Sequence, residues 1–331
     1  MSNIISRTVN YVKRKKIKRI RPDQPASVTE HNDAYKKLRS LPDDRLYADN
    51  EFCLDYLRQN MANMQESQKN TGQIFHAYWQ GLVGEKQAFS IKSVLATQAN
   101  SKVWLWIDKK SWEMNVNNPI LDELNNYIEI KCYDIYAEIK HTPFESFNKL
   151  HWSQYFDLAL RADTFRVLIL EKYKGVYFDL DIFFLRDMGQ LYRDHIAYCW
   201  ENQHYCNSAL LFFNSEKITE NIAETVKETG TFIPWVVFNY NNKKIKDLLV
   251  YPCAFFDPVW NITNIENYSY PIQSFDEFFT KKCTLNTYKE FFPGAYAYHW
   301  HNRWNMTPIA GSFFDVFNKE LSREFNANRI K

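Results

Sequence analysis

The amino-acid sequence predicts an α/β fold built on a mostly parallel central sheet. Three observations lead there. First, apolar or β-branched runs at 74–79, 103–107 and 128–133 alternate with stretches of helical spacing. That β-α-β-α-β order is what a right-handed parallel sheet requires. Second, residues 161–181, RADTFRVLILEKYKGVYFDLD, read as helix, glycine, strand and two carboxylates without a gap. Third, 331 residues with 45% apolar and 17% aromatic side chains are enough for one large core.

The chain opens on a basic segment, residues 1–21. It holds Arg7, Lys13, Arg14, Lys15, Lys16, Lys18, Arg19 and Arg21 and no acid. Ile5, Val9, Val12 and Ile20 fit one side of a helix, which would suit an anionic membrane surface. A solvated tail is the equal alternative. Pro22 and Pro25 close the segment. Residues 22–71 read as a polar, helical N-terminal region without chemistry of its own. The main domain is expected over 72–310, followed by a C-terminal helix or tail over 311–331. A net charge of +2 argues against nucleic acid as a partner. Cys53, Cys132, Cys199, Cys206, Cys253 and Cys283 form no Cys-x-x-Cys pair, so reduced thiols in a cytoplasmic protein are expected. No run of eighteen apolar residues is present, so membrane contact is expected only at the periphery, on the inner face.

Within 161–181 the local physics is explicit. Phe156, Leu160, Phe165, Leu168 and Ile169 share a helix face. Gly175 supplies a stop, and 176–178 form a short buried strand. Strand alternation would put Asp179 and Asp181 on one side and Leu180 on the other. Two carboxylates at the end of a buried strand need compensation, and Mn²⁺ or Mg²⁺ would provide it. An Asp-x-Asp triplet alone is common in turns and caps. Here Asp163 and Arg166 precede it one helical turn apart. The combined pattern of Asp163, Arg166, Tyr177, Asp179 and Asp181 resembles the sugar-binding, Asp-x-Asp region of family 32 glycosyltransferases. Its spacing is similar to that of the glucosylating bacterial toxins. The family usually has Gly-Gly before the strand, where this chain has Lys174-Gly175. The resemblance covers roughly residues 72–305.

The other elements follow in order. Trp79 ends the first strand before a turn at Gly81. In the family a Trp there lies by the nucleotide base, although a strand Trp more often packs in a core. A helix is expected over 89–98, and Asn118-Pro119 starts another. No Gly-x-Gly-x-x-Gly or P-loop occurs, which removes dinucleotide and NTPase chemistry. Residues 134–152 read as a loop that could line the donor pocket. Strands are expected over 196–200 and 208–213, and a helix over 217–229. Asn207 and Ser208 loosely match family residues facing the donor sugar. Glu201 is nearby but reads as solvated. Residues 231–290 lack periodicity and are assigned to the acceptor side. In 295–305, AYAYHWHNRWN, a short strand leads to His299, Asn302 and Trp304. These resemble the metal-side acid, Ser and Trp of the toxins, with His301 a rival to His299 as third ligand.

The resemblance implies a GT-A-type single Rossmann-like nucleotide-sugar-binding domain. It implies a metal-dependent transfer of a hexose, with retention, from a nucleotide-diphosphate sugar, UDP first, to a glycan or lipid-linked glycan acceptor. Capsule, O-antigen or other surface polysaccharide synthesis is the expected setting. Asp179, Asp181 and His299 would hold Mn²⁺ or Mg²⁺. Asp163 and Arg166 would meet the sugar hydroxyls and, with Asp181, form the catalytic set. Tyr177 would contact the donor, and Trp304 the diphosphate. A toxin-like protein glycosyltransferase, a glycoside hydrolase and a non-catalytic carbohydrate-binding protein are the alternatives.

Overall fold

The computed structural model describes residues 43, 45–65, 72–146, 158–192, 195–199, 207–234, 237–238, 248–260 and 270–328. The basic segment 1–21, the end of the 134–152 loop and Glu201 lie outside the described residues.

Helices α1 (Arg45–Ala48) and α2 (Asn50–Gln65) lead into β1 (Ile74–Trp79). Then come α3 (Glu85–Thr97), β2 (Lys102–Asp108), α4 (Lys109–Met114), α5 (Pro119–Leu124), β3 (Ile128–Tyr133) and α6 (Ile135–Glu138). The second half runs α7 (Leu158–Tyr173), β4 (Gly175–Phe178), β5 (Ile182–Phe184), β6 (His195–Cys199), β7 (Asn207–Phe213) and α8 (Glu216–Thr229). It closes with β8 (Leu249–Pro252), α9 (Glu277–Thr280), β9 (Ala297–His299) and α10 (Phe313–Asn328).

The main sheet has the order β3-β2-β1-β4-β7-β6-β8. Strands β1 to β4 are parallel, and β7 runs antiparallel between β4 and β6. This is a mostly parallel sheet with one reversed strand beyond β4. A second sheet pairs β5 with β9 antiparallel. Local chemistry sets many of the boundaries. Gln87 Oε1 accepts from the Gly84 N–H at 2.8 Å, so α3 starts at Glu85, ahead of the expected 89. Asn118 Oδ1 caps α5 by accepting from Ile120 N at 3.0 Å, with Pro119 in the first turn.

Three features differ from the sequence reading. Strand β8 lies in the stretch assigned wholly to the acceptor side, yet it forms an edge of the main sheet beside β6. Its residues are all buried, so no polar alternation marks it. Residues 179–181 do not continue the strand. Main-chain Ile182 N donates to Asp179 O at 3.0 Å, and the chain turns from β4 in one sheet to β5 in the other. The helix stop is at Lys174, which adopts φ 57°. Gly175 serves a different need: a Cβ there would lie 2.4 Å from Ile74 O, so β1 and β4 approach closely only with glycine.

The core unites both ends of the chain. Leu46, Tyr47, Leu54 and Leu57 of the helical N-terminal region join one buried cluster with Phe75, Phe89, Phe183 and Trp300. Tyr47 Oη donates to Val250 O at 2.7 Å. Phe314 and Phe317 of α10 belong to the same cluster, and Phe314 sits 4.9 Å from the Phe89 ring. Cys53, Cys132, Cys253 and Cys283 are free thiols.

Candidate functional site

The site forms where β1, β2 and β4 end, the edge at which open parallel sheets present ligand-binding groups. One wall is local in sequence. Arg166 projects from α7 and is buried. Its Nη1 donates to Ser208 O at 2.8 Å and Ser208 Oγ at 2.6 Å. Its Nη2 lies 3.3 Å from Asp179 Oδ1 and 3.6 Å from Asp163 Oδ1. The guanidinium carbon stands 4.7 Å from the centre of the Tyr177 ring. Burial works against the Arg166 charge, but the Asp179 and Asp163 carboxylates more than offset it and hold the group firmly protonated. Tyr177, 1% exposed, donates its hydroxyl to Asp179 Oδ1. Asp163, Asp179 and Ser208 therefore meet on the Arg166 guanidinium, and Tyr177 joins them through Oδ1 of Asp179. Asn207 is next to them in sequence, but its Oδ1 accepts locally from Ala209 N at 2.7 Å.

The other wall comes from the far end of the chain. The β5–β9 register sets Ile182 opposite His299. His299 Nε2 thereby reaches 3.1 Å from Asp181 Oδ2, and Asn302 N donates to the same oxygen at 2.8 Å. The carboxylates differ in consequence. Burial pushes the Asp179 carboxyl up, and the Asp181 charge adds to this against the pull of Arg166, even though 28% of its side chain is exposed. Burial also opposes the Asp181 charge, but His299 and the Asn302 N–H hold that carboxyl below its ordinary value. Burial likewise opposes the His299 charge, and Asp181 raises its pKa.

His301, the rival ligand, faces elsewhere. Its Nε2 bonds to the Asp257 carboxylate. Its ring stacks 3.8 Å from that of His299 and lies 4.6 Å from Trp260 and 4.4 Å from Phe275. Burial and the neighbouring His299 push the His301 pKa down. Asp257, fully buried, was not singled out in the sequence. Its one signal is that it is the only acid between Asp247 and Glu266, set in an apolar run.

The donors suit a divalent cation. Asp181 and His299 converge on one point, and Asp179 adds a second carboxylate whose charge is disfavoured without a cation. Asp257, His299 and His301 bring one ligand atom each within 4.8 Å of one another, a set that differs from the sequence expectation in two of three members. His299 belongs to both sets.

Two tryptophans complete the rim. Trp79 is half-buried at the end of β1, and its indole N–H donates to Leu82 O at 3.0 Å. Its ring lies 4.8 Å from Trp304. The Trp304 N–H, expected to reach a diphosphate, donates here to Asn302 Oδ1 at 3.1 Å. Lys86 at the start of α3 donates to the carbonyls of Arg303, Trp304 and Met306. No local pattern in the sequence marks it.

Residues 84–198 match the family described as the glycosyltransferase sugar-binding region containing the DXD motif. The match spans α3 to β6 and includes Asp163, Arg166, Tyr177, Asp179 and Asp181. That match takes in about a third of the chain. No curated protein matches the chain. Among solved structures, the chain is similar to the PaToxG glycosyltransferase at 16% identity and a TM-score of 0.40, over 61% of this chain and 81% of that one. It is also similar to the glycosyltransferase GlyE of Streptococcus pneumoniae at 14% identity and a TM-score of 0.41, covering 79% and 65% respectively. An active-site mutant of LgtC is similar at 12% identity and a TM-score of 0.40, covering 77% and 95%. Among the described residues, no helix is long and apolar enough to cross a membrane.

Proposed function

We propose that this protein is a glycosyltransferase that moves a hexose from a nucleotide-diphosphate sugar, UDP first, to a glycan acceptor with retention of configuration, and that it needs Mn²⁺ or Mg²⁺. The observation that carries the reading is the meeting of Asp181 with His299 and the Asn302 N–H beside the Arg166–Asp179–Tyr177 group. His299 and Asn302, 118 and 121 positions beyond Asp181, converge on its carboxylate, which is the kind of over-determination a reacting centre requires. Asp181 and His299 would hold the ion, with Asp179 from the opposite wall. When bound, the cation supplies charge stabilisation to the departing diphosphate. Trp79 offers a ring face to the base, and Trp304 closes the same edge. Arg166 keeps Asp179 oriented, with Asp163 beside the same Nη2. A lipid-linked acceptor at the inner face of the membrane, in surface polysaccharide synthesis, is the setting we propose. The basic segment 1–21 would provide the contact with anionic lipid.

The test is to incubate the protein with UDP- and GDP-sugars without acceptor and follow release of free sugar and nucleotide. Slow hydrolysis of one donor, abolished by chelator and restored by Mn²⁺ or Mg²⁺, is expected. Hydrolysis unchanged in excess chelator would overturn the metal-dependent reading. Cleavage of a nucleotide-free glycoside would replace it with a glycoside hydrolase.

A further inference from the structure

The turn that carries Asn302 and Trp304 has an unusual backbone. His301 adopts φ 49° and Asn302 φ 56°, two consecutive non-glycine residues in the left-handed region. Asn and His tolerate that conformation better than most side chains, but it still costs energy in any non-glycine residue, and two in succession persist where surrounding contacts hold them. Several contacts do. Asn302 N bonds to Asp181, and Arg303 bonds through Nε to Asp276 Oδ1 at 2.6 Å and through Nη1 to His301 O at 2.9 Å. The third comes from a different part of the fold. Lys86 Nζ lies 2.5 Å from Arg303 O, 3.0 Å from Trp304 O and 2.6 Å from Met306 O. The face of the Phe279 ring is 4.3 Å away.

An ammonium group has three N–H donors, and here three main-chain oxygens receive them. The arrangement resembles a small cation site whose ion is a side chain. The position of Lys86 also argues that the contact is what keeps a lysine there. It is the second residue of α3, where the helix dipole disfavours positive charge and an acid would be the better choice. Burial opposes the charge as well, pushing its pKa down to about 8. The carbonyl dipoles and the ring face compensate for both.

We infer that Lys86 is a positioning residue for the site. Its ammonium locks residues 303–306 to the start of the helix that follows β1. That lock holds the strained 301–302 backbone in place, keeps Asn302 N on Asp181 and sets Trp304 beside Trp79. The inference rests on the proposed function only for its kinetic consequence; the lock itself is a statement about the turn.

The experiment compares Lys86→Met, which keeps the stem and removes the charge, with Lys86→Arg, which keeps donors for the carbonyls. Two readouts separate the two claims. The first is amide hydrogen exchange at residues 300–306 in the full-length protein without ligand. Lys86→Met is expected to speed exchange at the Asn302 amide at least tenfold while strands β1 to β4 keep their protection, and Lys86→Arg to stay within about threefold of the parent. The second is UDP affinity with Mn²⁺ by titration calorimetry, together with donor KM and kcat. Lys86→Met is expected to weaken UDP and raise KM about tenfold with a smaller change in kcat. In combination with Trp304→Ala it should add little, because both changes act through one turn. Unchanged Asn302 exchange in Lys86→Met overturns the inference. So does loss of protection throughout the sheet, which would make Lys86 a general stabiliser. A parent protein that binds no nucleotide overturns the proposed function, while the exchange result still decides the lock.

Discussion

Asp179 and Asp181 are two residues apart, and their surroundings are opposite. Asp179 is held by groups close in sequence: Arg166 from the preceding helix and Tyr177 from the strand it ends. Asp181 is held by His299 and Asn302, which return from the far end of the chain through the β5–β9 pair. One carboxyl is pushed up and the other held down. The turn between β4 and β5 is what separates them, since it points them at different walls. A local wall can be built by one helix and one strand. The distant wall exists only once both sheets are assembled, so the two should respond differently to mutation.

The largest effect should come from breaking the local wall. Arg166→Met leaves Asp179, Asp163 and the Ser208 carbonyl without their shared buried cation. The loss should be about 3–5 kcal/mol of stability, read as a fall in the urea midpoint. Breaking the distant wall should act on chemistry first. Asp181→Asn is expected to lower donor turnover about 10²–10³-fold, by analogy with loss of one preorganised electrostatic group. Because Asp181 is bonded to His299 and Asn302, the thermal midpoint should fall as well. Asp179→Asn should leave the midpoint unchanged or raised, since burial and Asp181 disfavour its charge. Equal midpoint shifts in the two variants would remove the distinction between the walls.

A second pair of buried groups sharpens the comparison. His299 is raised by a carboxylate, whereas burial lowers His76 to about 4. The His76 ring is neutral in the fold, with Nε2 2.9 Å from Lys174 O and Nδ1 accepting from Trp106 Nε1 at 3.2 Å. Its unfolded value is near 6.5, so the unfolded chain takes up the proton first as pH falls. Stability should therefore be flat above pH 6.5 and decline from 6.5 to about 4. The His76 share is about 3 kcal/mol at the acid end. Urea denaturation of the parent and His76→Gln at pH 7.5 and 4.5 isolates that share; parallel losses in both would refute it.

The smallest expected effect is at the rim. Trp79→Ala should weaken UDP by about 1–3 kcal/mol, raise donor KM and leave kcat nearly unchanged. A large fall in melting temperature with unchanged UDP affinity would return Trp79 to a purely packing role.

The sequence by itself determined whatever depends on neighbours along the chain. The helix start at Asn118, the strands at 74–79 and 128–133, and the succession of Asp163, Arg166, Tyr177, Asp179 and Asp181 all follow from short-range periodicity and turn chemistry. Resemblance extended that reading to His299, Asn302 and Trp304, and the structure brings all three to one edge. The tertiary structure alone decided the rest. Strand β8 carries no alternation because it is buried throughout. The separation of Asp179 from Asp181 depends on a chain that leaves one sheet for another. The choice of partner for each histidine depends on the β5–β9 register, which sets His299 against Asp181 while His301 turns to Asp257. Lys86 acquires its role from three carbonyls more than 200 residues away. Such contacts are fixed by packing and register between distant segments, and no periodicity along the chain encodes them.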